Sequence, residues 1–304
     1  MHVSFVRAGS GVPLLVLAGV LWGTGGLLGQ ALAAATGLSA VTVAAYRLGG
    51  GGLLLCAQLL LTGRPVPRSA AAWRRLATIG LLAAVFQSCY FLAVVTTSVS
   101  LATLVTIGVA PVAVLAVERV ARLRPIGARS VLGAALALVG LALLVGPTGT
   151  PGAGLLAAVV SGCAFSAMTL LSARPVPGLD AGATVGFAFT IGGALLLPLA
   201  FAAGGPWFTP TPTALWLLLA FLVVPTAVAY TAFLAGLRDA PAGVGAVLTL
   251  LEPLTAAVLA ALLLGDRLGG VGWTGAAILC GAVVLTAQDA SPRRDERDSR
   301  LLVR

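Results

Sequence analysis

Ten successive runs of about 20 residues, each dominated by apolar side chains, fill this 304-residue chain and constrain its fold more than anything else in it. Each run is long enough to cross the hydrocarbon core of a bilayer as an α-helix, which satisfies its own backbone polar groups without water. Clusters of Gly, Pro and Arg end the runs. They place the spans at 13–35, 40–62, 72–95, 99–119, 128–146, 152–172, 181–202, 213–235, 242–264 and 271–288. The connections are too short to hold a soluble domain. Only 9% of residues are charged, against about 25% in an ordinary soluble domain, so the fold class is an all-α membrane protein with ten transmembrane helices. The first run follows Arg7 like a signal peptide, but no small-residue cleavage site follows a short apolar core, and it reads as an uncleaved span.

A formal charge of +9 would suggest nucleic acid as the partner of a soluble chain. Here the arginines collect between apolar runs, where they meet lipid headgroups and cytosol, and no nucleic-acid partner is expected. With the N-terminus inside, the inner segments hold Arg7, then Arg64, Arg68, Arg74 and Arg75, then Arg119, Arg122, Arg124 and Arg129, then Arg174, Arg238 and the tail arginines. The outer loops hold only Arg267, and Arg47 alone lies within a span. This asymmetry puts both termini in the cytoplasm. Trp73 at an inner boundary, with Trp207, Trp216 and Trp273 at outer ones, fits interfacial belts, whereas Trp22 lies mid-span.

The chain also repeats itself. Slid by 142 residues, "YFLAVVTTSVSLATLVTIGVAP" (90–111) aligns without a gap on "AFLAGLRDAPAGVGAVLTLLEP" (232–253), pairing Phe91 with Phe233 and Pro111 with Pro253. The same offset pairs Gly127 with Gly269 and the "GAA" of 133–135 with that of 275–277. The expected organisation is a first repeat of helices 1–5 over 1–147, a second of helices 6–10 over 148–290, and a charged cytoplasmic tail over 291–304. Five spans per repeat force the halves into the membrane in opposite senses, as two inverted five-helix repeats. Loop charges follow: "TTSVS" (96–100) is uncharged where its counterpart "RDAPA" (238–242) carries Arg238. Inverted repeats recur in transporters, with the substrate site near the midplane between the halves.

The stretches "LWGTGG" (21–26), "AYRLGGGGLLL" (45–55), "YFLAVVTTSVSLATLVTIGVAP" and "LEPLTAAVLAALLLGDRLGGVGWTGAAILCG" (251–281) resemble the drug/metabolite transporter superfamily, in its ten-helix EamA-type branch. The resemblance covers nearly the whole chain. It implies a multi-pass carrier of the bacterial inner membrane that exports amino acids, other metabolites or toxic compounds by alternating access. Two departures are "RLRP" (122–125), where the family often has an acid, and "GCAFSAM" (162–168), where a tryptophan is common. Substrate identity does not follow from it.

The opening residues of interest are Glu252 and Pro253. Glu252 stands about ten residues, or roughly 15 Å, into its span, close to the bilayer centre. A charge there costs on the order of 2.5–3.5 kcal/mol, so it should face a cavity or a partner. Pro253 has no amide hydrogen, which should free the carbonyl of Thr249 for water, an ion or substrate. Arg47, about seven residues in from the outer end of its span, is the expected partner of Glu252. A fixed pair that merely joins helices, or a protonated acid, are the blander alternatives. Trp22, and Gln87 with Tyr90 on one helix face, are expected to line the cavity; buried packing is the alternative for each. Glu118 and Arg122 are spaced for a cytoplasmic clamp, and Gly49–Gly52 for a hinge or a close helix contact.

The four cysteines stand singly in apolar runs and suggest neither disulfides nor a metal site, and no cofactor motif is present. The only histidine is His2, no span holds HExxH or GxSxG, and one acid lies mid-span, so an intramembrane enzyme lacks an acid–base pair. The expected function is a secondary transporter of a small molecule in contact with lipid, with proton coupling and facilitated exchange both left open. A channel or lipid scramblase is the alternative. The sequence leaves substrate, direction and oligomeric state open.

Overall fold

A computed structural model describes residues 11–123, 126–146, 153–263 and 269–290, with side chains at all of these except 153, 289 and 290. His2, Arg7, Arg124, Asp266, Arg267 and the charged tail 291–304 lie outside the described residues.

Among the described residues, ten helices are long and apolar enough to cross a membrane: span 1 Gly11–Thr36, span 2 Ala40–Leu61, span 3 Ala70–Thr96, span 4 Val99–Val120, span 5 Ala128–Val145, span 6 Gly154–Ser172, span 7 Ala181–Ala202, span 8 Pro212–Gly236, span 9 Ala242–Leu263 and span 10 Gly270–Gln288. No strand occurs among the described residues. Short polar side chains start several spans by accepting a hydrogen bond from an amide three residues on: Ser39 before span 2, Ser69 before span 3, Ser98 before span 4, Asp180 before span 7 and Thr211 before span 8. Gly37, at φ 72°, donates its amide to Ala33 O and closes span 1 in a conformation that costs a side chain.

Three spans depart from a regular helix. Tyr46–Gly50 in span 2 and Val223–Val228 in span 8 are π-helical turns. In span 8 the cause is Pro225, which has no amide to give Phe221; the Thr226 hydroxyl donates to Phe221 O instead, at 2.9 Å. Span 9 is two helices, Ala242–Leu248 and Leu251–Leu263, broken just before Glu252 and Pro253.

Span 1 packs on spans 8 and 9, and span 6 packs on spans 3 and 4, so each half of the chain receives the first helix of the other. Spans 5 and 10 form a close pair beside this core. A Cβ on Gly133 would lie 2.4 Å from Thr286 Oγ1, and one on Gly275 would lie 2.5 Å from Leu144 N. The 142-residue offset carries Gly133 to Gly275 and Leu144 to Thr286, so this interface makes the same contact twice. Gly49, one of the four successive glycines in span 2, meets span 7: a Cβ on Gly193 would lie 2.3 Å from Gly49 Cα. That stretch is therefore both a close helix contact and part of a π turn. Trp73, Trp207, Trp216 and Trp273 are all exposed near span ends, and the four cysteines are free.

Candidate functional site

The C-terminal halves of spans 1 and 3 and the N-terminal halves of spans 2 and 4 enclose a cavity of about 280 Å³, completed by Phe221 of span 8 and Glu252 of span 9. It reaches the face on which spans 1 and 2, and spans 3 and 4, are joined. Most of its wall is apolar, with Phe86, Phe91 and Phe221, and a few polar groups converge on it: Gln30, Arg47, Gln87, Tyr90, Thr103, Thr106 and Glu252. That mixture of apolar wall and sparse polar groups is typical of small-molecule sites.

The π turn of span 2 carries Arg47 into this wall. Its guanidinium donates to Pro225 O at 3.4 Å, on the π turn of span 8, and lies 5.6 Å from the Phe221 ring and 5.7 Å from the Tyr230 ring. Its Nε is buried without a hydrogen-bond partner. Glu252 lines the same cavity, but no carboxylate oxygen comes within 4 Å of the guanidinium. The expected ion pair is therefore not formed: Arg47 is held by a carbonyl and two rings of span 8, while Glu252 stands on span 9. The cavity wall thus holds one guanidinium and one carboxyl group that do not touch.

Gln87 and Tyr90 line the cavity, Gln87 almost fully buried and the Tyr90 hydroxyl paired with Thr103 Oγ1 at 2.8 Å. Trp22 does not line it. It is 2% exposed and lies one turn below the cavity residue Gly25, where its ring meets Tyr230 at 4.8 Å, Phe233 at 4.9 Å and Phe165 at 6.0 Å. Phe86 reaches Phe165 at 5.4 Å, joining the cavity wall to this aromatic cluster. The indole N–H of Trp22 is buried with no partner, an exception to the rule that buried donors are satisfied. Pro253 is buried and does not line the cavity either. The carbonyl expected to be free above it is engaged: Glu252 N donates to Thr249 O at 2.9 Å in a tight turn, which closes the gap that Pro253 leaves in the helix.

On the opposite face lies a crevice of about 20 Å³, which shares Ala181 and Arg238 with a neighbouring hollow of about 410 Å³ between spans 2, 7 and 8. Four of the positions around it, Ile79, Leu171, Ser172 and Pro175, are related by the 142-residue offset to the cavity residues Phe221, Gly29, Gln30 and Ala33. The crevice is a narrowed twin of the cavity. Two arginines bridge its sides: Arg75 of span 3 donates to Leu171 O at the end of span 6, and Arg238 past span 8 donates to Leu179 O before span 7, at 2.7 Å. Nearby, Glu118 accepts the amide of Gly243 at 3.3 Å, joining span 4 to the N-terminus of span 9.

Sequence reasoning missed Phe86, Phe221 and Thr103 as wall residues, because single aromatics and hydroxyls carry no signal in apolar runs. Tyr230 joins Arg47 to the aromatic cluster. Pro225 was a readable signal for the irregular turn in span 8.

Comparison with known proteins adds three findings. The family model described as "EamA-like transporter family" matches residues 9–146 and again residues 152–288. An uncharacterized transporter of Bacillus subtilis (strain 168), YwfM, is 30% identical over 289 residues, which are 93% of this chain and 94% of that protein. A chain of known crystal structure superimposes with a TM-score of 0.78 over 92% of this chain and 98% of its own length, at 20% identity, which speaks for the fold.

Proposed function

The chain belongs to the EamA-like transporter family, and from that premise we propose that it is a secondary transporter of the bacterial inner membrane, with both termini cytoplasmic, that exports a small metabolite, amino acid or drug by alternating access. The transport path runs from the crevice, through the aromatic cluster around Trp22, to the cavity.

The observation that carries this reading is the pair of unequal hollows. A cavity of about 280 Å³ on one face and its offset-related counterpart of about 20 Å³ on the other are what two inverted repeats give when one entrance is open and the other shut. The repeated contact of Gly133 and Gly275 and the double match of one family model support the inverted repeat itself. Arg47, Gln87, Tyr90 and Glu252 bind solute in this scheme, while Trp22 and the break before Pro253 act in gating. Glu252 is the group through which protons would couple.

The test is uptake of radiolabelled amino acids, one at a time, and of the cationic dye ethidium into liposomes holding the protein. All four native cysteines are replaced by alanine and one is introduced by Val94→Cys in the cavity wall. Uptake that saturates and stops on maleimide labelling of that cysteine is the expected result. Ion or lipid leakage that does not saturate would replace the carrier with a channel or scramblase.

A further inference from the structure

Two polar side chains of the transport cavity have bonding capacity that the protein does not use. Gln87 is 3% exposed and its carboxamide makes no hydrogen bond among the described residues, yet neither end of the amide is sealed in protein as Trp22 Nε1 is. It therefore faces the cavity in whose wall it stands, with donors and an acceptor to offer. Arg47 engages one of its guanidinium N–H groups, at 3.4 Å to Pro225 O, longer than the usual N–H···O distance. Its Nε is sealed, so Nη1 is the group left open on the cavity side. Buried polar groups are ordinarily bonded; here a solute can complete both.

Charge gives the sign of that solute. Arg47 and Glu252 are the charged side chains of the cavity wall. A guanidinium keeps its charge at every pH a cell presents, whereas a carboxyl group is either charged or, with a proton bound, neutral. The wall therefore sums to zero or to a net positive charge, never to a negative one. In the crevice wall stand Arg75, Arg174 and Arg238, with no acid. The neighbouring hollow adds Arg64 and Asp180, which pair with each other at 2.8 Å. A passing anion meets favourable charge on this route, whereas a cation is opposed at the crevice and finds no net negative charge in the cavity. One planar guanidinium fork matches one carboxylate, where a doubly charged phosphate would need a second cation. The rings of Phe86, Phe91 and Phe221 offer the rest of the solute an apolar, aromatic surface.

Taking the cavity as the solute site of a carrier, we infer that its cargo is an organic monocarboxylate with an aromatic or apolar body and no ammonium group. The carboxylate accepts from Arg47 Nη1 and from the Gln87 amide, and the body lies among the three phenylalanines.

The test is isothermal titration calorimetry of the purified full chain with phenylacetate, L-phenylalanine and phenethylamine, which share one ring and present it as an anion, a zwitterion and a cation. Phenylacetate should bind most tightly, at least about tenfold better than phenethylamine, the factor that one charge-assisted hydrogen bond represents. Arg47→Gln should weaken phenylacetate by the same factor. Gln87→Leu should weaken it about fivefold, as one ordinary hydrogen bond would, with the melting temperature unchanged because the amide has no protein partner to lose. That last readout separates loss of the site from loss of the fold. No binding of phenylacetate, tighter binding of L-phenylalanine or phenethylamine, or unaltered phenylacetate binding in either variant overturns the assignment. Liposome uptake keeps the two claims apart. Saturable uptake of ethidium by a protein that does not bind phenylacetate would refute the carboxylate and leave the carrier; the expected binding pattern without carriage of any labelled solute would count against the carrier alone.

Discussion

Replacing both Arg75 and Arg238 by glutamine should shift the protein from the form with an open cavity toward the form with an open crevice. The two guanidiniums bridge span 3 to Leu171 and span 8 to Leu179 across the narrowed face. A hydrogen bond to a charged group contributes about 1.5–3 kcal/mol when well buried. These two lie in partly buried surroundings, so about 1 kcal/mol each is the fairer figure, and about 2 kcal/mol together, or roughly thirtyfold in the ratio of the two forms. The readout is the rate at which maleimide labels single cysteines, placed by Ser172→Cys in the crevice and Val94→Cys in the cavity, with the native cysteines replaced. In detergent solution both faces meet the reagent, so each rate reports how often its hollow is open. The double variant should label up to about thirtyfold faster at position 172 and more slowly at position 94. Unchanged rates at both positions would refute the latch, and acceleration at both would mean loosening instead of a shift between two forms.

Four other outcomes follow from the same geometry. Glu252→Gln should lower transport by at least about tenfold, since its carboxylate stands in the cavity without an arginine partner within 4 Å; rates equal to the unchanged protein would remove that acid from the cycle. Arg47→Ala should also lose transport, and because the two charges are not paired, Arg47→Ala/Glu252→Ala should give no rescue, so recovery in liposome uptake would contradict the open geometry. Gly275→Val, whose side chain would drive into the backbone of Leu144, should lower the melting temperature by an amount corresponding to about 1–3 kcal/mol, while Gly281→Val, with nothing within 4 Å, should not. Trp22→Ala should open the aromatic cluster and raise passive ethidium leak through reconstituted liposomes, and tight vesicles would show that Trp22 is not part of the barrier.

The spans were legible because bilayer thickness sets a length that apolar runs must meet, and all twenty expected ends fall within two residues of the observed ones. The break in span 9 was legible from Glu252 beside Pro253, a pair too costly to place in a plain helix. What lay beyond reach was what depends on neighbours. Thr249 O was expected to be free because proline removes one donor, yet a local turn supplied Glu252 N in its place. Arg47 was expected on Glu252 because opposite charges attract, but its guanidinium bonds a carbonyl of span 8 and lies beside two rings of that span. Trp22 was expected in the wall because aromatics suit binding sites; its neighbours on spans 6 and 8 draw it instead into a buried aromatic cluster. Arg75 and Arg238 were read through the rule for membrane orientation, and their bonds to carbonyls on other spans carry no trace in sequence.

The claim that two hollows open in turn is tested most directly by counterflow. Liposomes holding the protein are loaded with a high concentration of one unlabelled amino acid that passes the uptake test, then diluted into a trace of the labelled form. A carrier that exposes its site to one face at a time predicts a transient accumulation of label above the external concentration, followed by decay. Label that merely equilibrates, with no overshoot and no dependence on the internal load, would contradict alternating access.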